Sequence, residues 1–230
     1  MAALDPDLLI RAYSAGIFPM GDARDVDDVY WVEPKRRGII PLEGFHLSHS
    51  LAKLLRRDVF EHRINSSFAE VMRRCAAPGP GRLESWINDP ILIAYIELHA
   101  RGLAHSVECW RGGALVGGLY GVSLGGAFFG ESMFTIARDA SKAALAHLVA
   151  RLKFGGFTLL DTQFVTPHLA GFGAIEISRD AYRGALSDAL GVTADFGALG
   201  GATESFDLPG TMVSGPTSGK VIAQLLTQTS

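Results

Sequence analysis

Cysteine is scarce in this sequence, and its first residues do not have the pattern of a secretion signal. Cys75 and Cys109 are the two cysteines among 230 residues, and their spacing matches no metal-binding motif. So few cysteines are typical of a reducing compartment, and we expect reduced structural thiols. The amino terminus carries Asp5 and Asp7 where a signal peptide would carry basic residues. These absences predict a cytoplasmic protein without disulfides.

A long apolar run is also lacking. The apolar stretch at residues 114–130, which carries no charge, is too short and too rich in glycine for a membrane-spanning helix. Hydrophobic residues make up 48% of the chain and charged residues 20%, which is typical of a globular protein. We therefore expect no membrane association, and a chain long enough for one large or two small domains.

The sequence has no overall excess of positive charge, because its formal net charge is −3. This value argues against a nucleic-acid-binding protein, but the distribution of charge argues for one. Residues 50–83 contain seven Lys and Arg against three Asp and Glu. Positions 53, 56 and 57 share one face of a helix predicted to begin after Ser48. Candidate contacts to a polyanion, with a solvated helix face as the alternative, are Lys53, Arg56, Arg57, Arg73 and Arg74.

The most informative stretch is residues 104–134, where two glycine pairs separate three apolar runs of strand length. The pairs at 112–113 and 125–126 predict the turns of an antiparallel meander. Glycines within the predicted strands indicate either close packing of a helix on the sheet or the floor of a ligand pocket. In the second case Glu131 would lie at the rim of the pocket. These glycines are Gly117, Gly118, Gly121 and Gly130.

Helices flank the predicted meander. Ser67 and Glu70 form the pattern of a capping box at the start of one of them. Strands dominate the middle of the chain without regular strand–helix alternation, which predicts an α+β fold. The order helix, three-stranded meander, helix, strand is that of an N-acetyltransferase-like core. We expect a small N-terminal α/β domain at 1–60, this catalytic core at 61–191 and a loosely structured tail at 192–230.

Several motifs could carry chemistry. Residues 121–125 match the nucleophile elbow of serine hydrolases, but a strand is predicted where that motif needs a helix. The histidines show no metal-ligand spacing, and only His168 lies near a plausible site. Asp161 and Gln163 are two residues apart on a predicted strand, which places their side chains on one face. An acid in an apolar strand is paired with a basic residue or functional, and the same alternatives apply to Glu131.

The turn after the meander argues against coenzyme A. An acetyltransferase of this fold would bind the cofactor pyrophosphate at a glycine-rich turn before a helix. Residues 134–139 contain no glycine and end in Asp139, whose charge would repel a pyrophosphate. The sequence therefore predicts acyl transfer from a different carrier.

Separate blocks of the sequence together resemble one known family. From about Tyr13 to Leu190, the chain resembles the bacterial leucyl/phenylalanyl-tRNA–protein transferases, and the matching blocks occur in the same order as in that family. The segment after Val192 matches none of their blocks. The matching blocks are residues 13–20, 31–42, 45–48, 86–87, 104–108, 115–121, 130–134, 141–142, 161–163, 168 and 173–174.

The resemblance implies a reaction and its partners. Leu or Phe, and also Met, is moved from the 3′ end of its aminoacyl-tRNA to the α-amine of a protein that begins with Arg or Lys. The product is then degraded by the N-degron pathway, and no metal or cofactor takes part. We expect a cytoplasmic monomer. The alternatives are an acetyl-CoA-dependent N-acetyltransferase and a non-catalytic tRNA-binding protein.

The resemblance also suggests roles for individual residues. Asp161 would accept a hydrogen bond from the attacking amine or hold Gln163, whose carbonyl oxygen would orient that amine. Glu131 would pair with the cationic side chain of the acceptor. Phe128 shares a pocket with Glu131 only if Gly130 lies in a bulge, because their strand parity is opposite. The expected substrate-binding residues are Leu119, Phe128 and Met133 in the aminoacyl pocket, Trp31 and Trp86 beside the terminal adenosine, and Ser132.

Overall fold

A computed structural model describes residues 4–21, 28–78, 85–200 and 216–227 of the chain. No helix within these ranges is long and apolar enough to cross a lipid bilayer. The helices are α1 (Pro6–Ser14), α2 (His49–Arg56), α3 (Phe68–Ala76), α4 (Asp89–Ala100), α5 (Ala140–Phe154), α6 (Pro167–Ala170), α7 (Arg179–Leu190) and α8 (Gly219–Thr227). The strands are β1 (Phe18–Gly21), β2 (Val29–Val32), β3 (Arg36–Ile39), β4 (Glu61–Ile64), β5 (Ala104–Arg111), β6 (Ala114–Leu124), β7 (Ala127–Thr135), β8 (Leu159–Gln163) and β9 (Ile175–Ser178).

Seven strands form one sheet in the order β4-β5-β6-β7-β8-β3-β9. All neighbours are antiparallel except β7 and β8, and α5 makes the crossover that this parallel pair needs. β1 and β2 pair separately. The α+β class is confirmed, and so is the meander, which consists of β5, β6 and β7. The likeness to an N-acetyltransferase stays a prediction.

The two faces of the sheet pack against two separate hydrophobic cores, because neighbouring residues of a strand point to opposite sides. Leu119 and Leu160 belong to the core that contains α5, α2 and α8. Tyr120 and Leu159 belong to the core that contains α1, α3, α4 and α7. We call these the α5 face and the α3 face. A ligand site that reaches both faces must therefore pass through the sheet.

The start of α3 differs from the sequence expectation. The Ser67 side chain makes no capping hydrogen bond, and Glu70 pairs with arginines of its own helix. Instead, the Ser67 backbone N–H donates to Glu108 Oε1 at 2.8 Å. Glu108 is a fully buried residue of β5. The predicted capping box is therefore wrong, because a carboxylate from the sheet replaces the local cap.

The carboxy-terminal segment is more regular than expected. Ile222 and Ala223 of α8 are buried against α5 and α2. The expectation of a loosely structured tail at 192–230 is thus corrected for 216–227, while 201–215 and 228–230 lie outside the described residues. The domain limit at residue 60 stays a prediction, although β3 already belongs to the large sheet.

The glycines within the meander serve different purposes. A Cβ atom at Gly117 would overlap α5, which is the close helix packing that the sequence allowed. A Cβ atom at Gly121 would overlap the Phe129 carbonyl oxygen and the Phe128 ring. Gly130, in contrast, lines a cavity. Both interpretations of the strand glycines therefore hold, at different positions.

We expect Gly121→Ala to lower the free energy of unfolding by about 1–3 kcal/mol, because the added methyl group overpacks the sheet. Gly184→Ala in α7 is the matched control, since its Cβ would have no neighbouring atom within 4 Å. There alanine should stabilise the exposed helix by about 0.5–1 kcal/mol. Urea unfolding measures both changes. A Gly121→Ala protein as stable as the wild type would contradict the overlap.

Candidate active site

A cavity of about 320 Å³ lies where β7 and β8 separate. Their parallel pairing ends at Phe129 and Asp161, whereas β7 continues to Thr135. The cavity is lined from both cores, so it passes through the gap between the two strands. Its walls come from residues 18–20 of β1, Trp86, residues 119–120 of β6, 130–133 of β7, Leu145 and Leu148 of α5, Leu160 and 162–164 at β8, and Thr166, His168 and Leu169 around α6.

On the α5 face the cavity is an apolar pocket. The structure places the expected Leu119 and Met133 here, together with Leu145, Leu148 and Leu160. The two leucines of α5 were not predicted, and their i, i+3 spacing was the signal available for them. A pocket with these five walls can accept a branched aliphatic, thioether or aromatic side chain.

Phe128 does not line this pocket, so its assignment there is corrected. The bulge that the parity argument requires is present, because Glu131 has no opposite residue on β6. The bulge turns Glu131 into the gap. Phe128 stays fully buried below, where its ring stacks on Phe196 with the centroids 5.5 Å apart.

On the α3 face the cavity opens beside aromatic residues. Trp86, Phe18 and Phe164 line this end, and the Phe18 and Phe164 rings meet edge to face. Trp31 does not line the cavity. It is 38% exposed on β2, opposite Pro19, which does line it. The structure therefore brings Trp86 to the cavity and leaves Trp31 one strand away.

The neck between the two ends is polar. The Glu131 carboxylate accepts hydrogen bonds from the Tyr13 hydroxyl at 2.7 Å, from Gln163 Nε2 at 3.0 Å and from the Tyr95 hydroxyl at 3.3 Å. The two tyrosine hydroxyls also contact each other. Burial raises the pKa of Glu131 to about 8, and the hydrogen bonds from the tyrosines oppose this rise only in part. Glu131 therefore changes charge close to neutral pH.

Asp161 lies behind Gln163 and is fully buried. Its carboxylate pairs with the Arg37 guanidinium at 2.6 Å and accepts hydrogen bonds from the Tyr182 hydroxyl at 2.7 Å and the Gln163 backbone N–H at 2.8 Å. Arg37 is 1% exposed and lies between the rings of Phe18 and Tyr182. Both oxygens of Asp161 are thus engaged, and neither faces the cavity. The expectation that Asp161 could receive the amine directly is corrected.

The backbone between Asp161 and Gln163 is irregular, whereas the prediction of a shared face assumed a regular strand. The register of β3 against β8 shifts between Gly38 and Ile39. Gln163 itself has a left-handed backbone with φ of 58°. The strand therefore turns at its end, so that Gln163 reaches the cavity while Asp161 stays in the core.

Four polar residues at the neck and behind it were also not predicted from the sequence: Tyr13, Arg37, Tyr95 and Tyr182. The separation of Arg37 from Asp161 is 124 residues along the chain, so no local motif joins them. Tyr13 and Arg37 lie within the blocks 13–20 and 31–42, which was the signal available for them. Tyr95 and Tyr182 had no such signal.

The five predicted cationic contacts lie on two sides of the sheet. Lys53, Arg56 and Arg57 are exposed at the end of α2, on the α5 face. Arg73 and Arg74 belong to α3, on the opposite face, where both pair with an acidic residue of their own helix. The five residues therefore do not form one surface.

The described residues contain no group of three His, Cys, Asp or Glu side chains that could hold a metal ion. His168 lines the cavity, as its position after β8 indicated. Burial, and then the nearby charge of Lys142, lowers the pKa of His168. Its ring is therefore neutral around pH 7.

Two family models match this chain. The model described as leucyl/phenylalanyl-tRNA protein transferase matches residues 39–187, and that of the N-terminal domain of the same transferase matches residues 2–35. Relatives named leucyl/phenylalanyl-tRNA–protein transferase occur in Rhizorhabdus wittichii, 57% identical over 248 residues, and in Phenylobacterium zucineum, 56% identical over 230 residues. Both comparisons cover 100% of each chain. A relative from Caulobacter vibrioides is 57% identical over 202 residues, which is 87% of this chain and 93% of the relative.

We expect Glu131→Gln to flatten the pH dependence of stability between about pH 4.5 and pH 8. Folding raises the pKa of Glu131, so above pH 4.5 the unfolded chain loses a proton that the folded chain keeps. The contribution of Glu131 to the free energy of unfolding is complete below pH 4.5 and is lost as the pH rises towards 8.

Urea unfolding at several pH values across this range measures the effect. Asp188→Asn, at an exposed position of α7, is the control for removal of a surface carboxylate. Equal pH dependence in the wild type and in Glu131→Gln would contradict the raised pKa.

Proposed function

The chain belongs to the leucyl/phenylalanyl-tRNA–protein transferase family, and on this basis we propose that it transfers Leu or Phe from tRNA to the amino terminus of an acceptor protein. Finer parts of the proposal are Met as a further aminoacyl group, acceptors that begin with Arg or Lys, and degradation of the product by the N-degron pathway. The reaction takes place in the cytoplasm, where aminoacyl-tRNA is made. A further part of the proposal is that the chain acts as a monomer.

The observation that carries the proposal is the passage through the sheet. It joins an apolar pocket on the α5 face to an aromatic opening on the α3 face, and Glu131 and Gln163 lie between them. The pocket would hold the aminoacyl side chain, and Trp86 at the opening would stack near the terminal adenosine. In such a pocket, the binding free energies of two side chains that differ by one methylene group differ by only about 1–3 kcal/mol. Graded acceptance of Leu, Phe and Met follows.

The reaction needs positioning more than strong acid or base. The α-amine nitrogen of the acceptor attacks the ester carbonyl carbon, the C–N bond forms, and the bond from that carbon to the ribose oxygen breaks. The amine proton passes to the leaving ribose oxygen, which restores the tRNA hydroxyl. An α-amine has a pKa near 8, so a useful fraction is neutral in the cell. Because the ester is already activated, holding the two groups together supplies much of the rate.

Gln163 is the group that would orient the amine. The NH₂ end of its amide donates to Glu131 Oε1 at 3.0 Å. The carbonyl oxygen of the same amide is therefore left to accept a hydrogen bond from a donor in the cavity. This orientation would aim the nitrogen lone pair of the acceptor amine at the ester.

Asp161 would act as a positioning residue for Gln163. Its Oδ1 accepts the Gln163 backbone N–H and so holds the left-handed turn at the end of β8. Arg37 and Tyr182 fix the carboxylate from the other side. A shift of about 1 Å in such a group can lower a rate roughly 10²-fold, so this support bears directly on catalysis.

Glu131 would receive the cationic side chain of the acceptor. An arriving Arg or Lys favours the ionised carboxylate and lowers the pKa of Glu131 from about 8. A neutral first residue gives no such interaction. This difference supports a preference for acceptors that begin with Arg or Lys.

The exposed end of α2 would hold the tRNA. Lys53, Arg56 and Arg57 can neutralise phosphates of the acceptor stem, and such contacts read backbone and shape rather than base sequence. Arg73 and Arg74 are left out of this surface because both pair with Glu70 of their own helix.

The test is to incubate the purified chain with leucyl-tRNA labelled in leucine and a peptide that begins with Arg. We expect labelled peptide, and much less label on the same peptide with an acetylated amine or with Ala as its first residue. Tight tRNA binding without label on any peptide would overturn the proposal in favour of a binding protein. Acetylated peptide from acetyl-CoA would overturn it in favour of an N-acetyltransferase.

We expect Gln163→Met to lower kcat about 10²-fold with little change in the affinity for tRNA, because the amide is lost at nearly constant side-chain volume. Asp161→Ala should also lose transfer while keeping tRNA affinity. Tyr182→Phe, which keeps the Arg37 ion pair, is the milder control. Steady-state transfer and tRNA binding at equilibrium separate the two effects. Normal kcat in Gln163→Met would remove the amide from the mechanism.

A further inference from the structure

A groove between α2 and α8 has polar and cationic walls. It is lined by Arg56 of α2 and by Lys220, Gln224 and Thr227 of α8. Arg56, Lys220 and Gln224 are exposed. Among the described residues, no carboxylate lines this groove, although the chain as a whole is acidic.

Close contact between the helices fixes α8 in this position. A Cβ atom at Gly219 would overlap the Leu55 carbonyl oxygen of α2. Asp58, just after α2, accepts hydrogen bonds from the Gly219 N–H at 2.6 Å and from the Ser218 hydroxyl at 3.1 Å. Lys220 follows directly and is thereby held beside Arg56, although 164 positions separate the two in the sequence numbering (220 − 56).

The charges at the groove are all of one sign apart from Asp58, whose carboxylate is engaged by the start of α8. Residues 216–227 contain no acid, and Lys220 is their charged residue. In the described part of the chain, neither Arg56 nor Lys220 forms an ion pair with a carboxylate. The groove therefore presents two free cations at the edge of the α2 surface.

We propose that α8 extends the RNA-binding surface of α2, with Lys220 and Gln224 contacting phosphate oxygens of the same double-helical backbone that Arg56 binds. This inference rests on the proposed function, because it presumes that α2 faces the tRNA. Lysine, arginine, amide and hydroxyl donors are the groups that proteins direct at phosphates. A protein partner is less favoured, since the described lining of the groove offers no aromatic or large apolar side chain as an anchor. The family model matches residues 39–187. The proposal gives the carboxy-terminal segment beyond them a role in binding tRNA.

The test compares Lys220→Gln with Arg56→Gln in the full chain, on two substrates. One is leucyl-tRNA, and the other is leucine esterified to adenosine alone, which has no phosphate. We expect each variant to lower kcat/KM for leucyl-tRNA about threefold at low salt and to reduce the slope of log affinity against log salt by about 1. Transfer from the leucyl ester of adenosine should stay unchanged, which separates a phosphate contact from damage to the fold.

Arg11→Gln is the matched control, because it removes the same charge from an exposed position of α1 on the α3 face and should change neither substrate. Normal use of leucyl-tRNA by Lys220→Gln but not by Arg56→Gln would overturn this inference and leave the proposed function intact. Equal loss with both substrates would overturn it too, since α8 would then only stabilise the fold. No effect of Arg56→Gln on leucyl-tRNA would overturn both the proposed α2 surface and this inference, which presumes it.

Discussion

The buried ion pair of Arg37 and Asp161 is the interaction on which the site depends. Arg37 comes from β3 and Asp161 from β8, and the guanidinium also donates to the Gly16 carbonyl oxygen at 2.9 Å. Burying two charges is favourable only when their hydrogen bonds are nearly complete, and here Tyr182 and the Gln163 N–H complete them. Loss of one partner alone would leave an uncompensated charge, at about 3–5 kcal/mol. The pair thus ties β3, β8, α7 and the turn before β1 to the residue that reaches the cavity.

Two local irregularities at the same level of neighbouring strands open the sheet. Beyond the last parallel pair, β7 bulges at Glu131 and β8 turns at Gln163 through a left-handed backbone. The strands lose their ladder there, and a side-chain hydrogen bond of 3.0 Å between these two residues takes its place. A ligand can then occupy space between two cores that are otherwise closely packed. Two irregularities in the backbone, rather than a separate loop, create the passage.

Sequence patterns within a short stretch predicted those features of the structure that depend on interactions within that stretch. The glycine pairs set the meander, and the spacing of Lys53, Arg56 and Arg57 set an exposed cationic face on α2. Glu131 and Gln163 could be singled out because a polar residue in an apolar strand is unusual. The partners that hold them could not be predicted, since Arg37 and Asp161 are 124 positions apart and the register of β3 against β8 shifts between Gly38 and Ile39. The same limit applies to α3, where the buried Glu108 replaces the cap that Ser67 was expected to give.

Charge at the neck explains why position 163 carries an amide. The charge of Asp161 already contributes to the raised pKa of Glu131. A carboxylate at position 163 would be a third acid in this region, after Glu131 and Asp161, and it would lie within hydrogen-bond distance of Glu131. Carboxylates that are this close cannot all be ionised at the same time. One of them would take up a proton in the pH range where the acceptor amine itself titrates, and the orientation of that amine would then change with pH. The hydrogen-bonding groups of an amide do not titrate, so Gln163 keeps one orientation while Glu131 stays free to change its charge when a cationic side chain arrives.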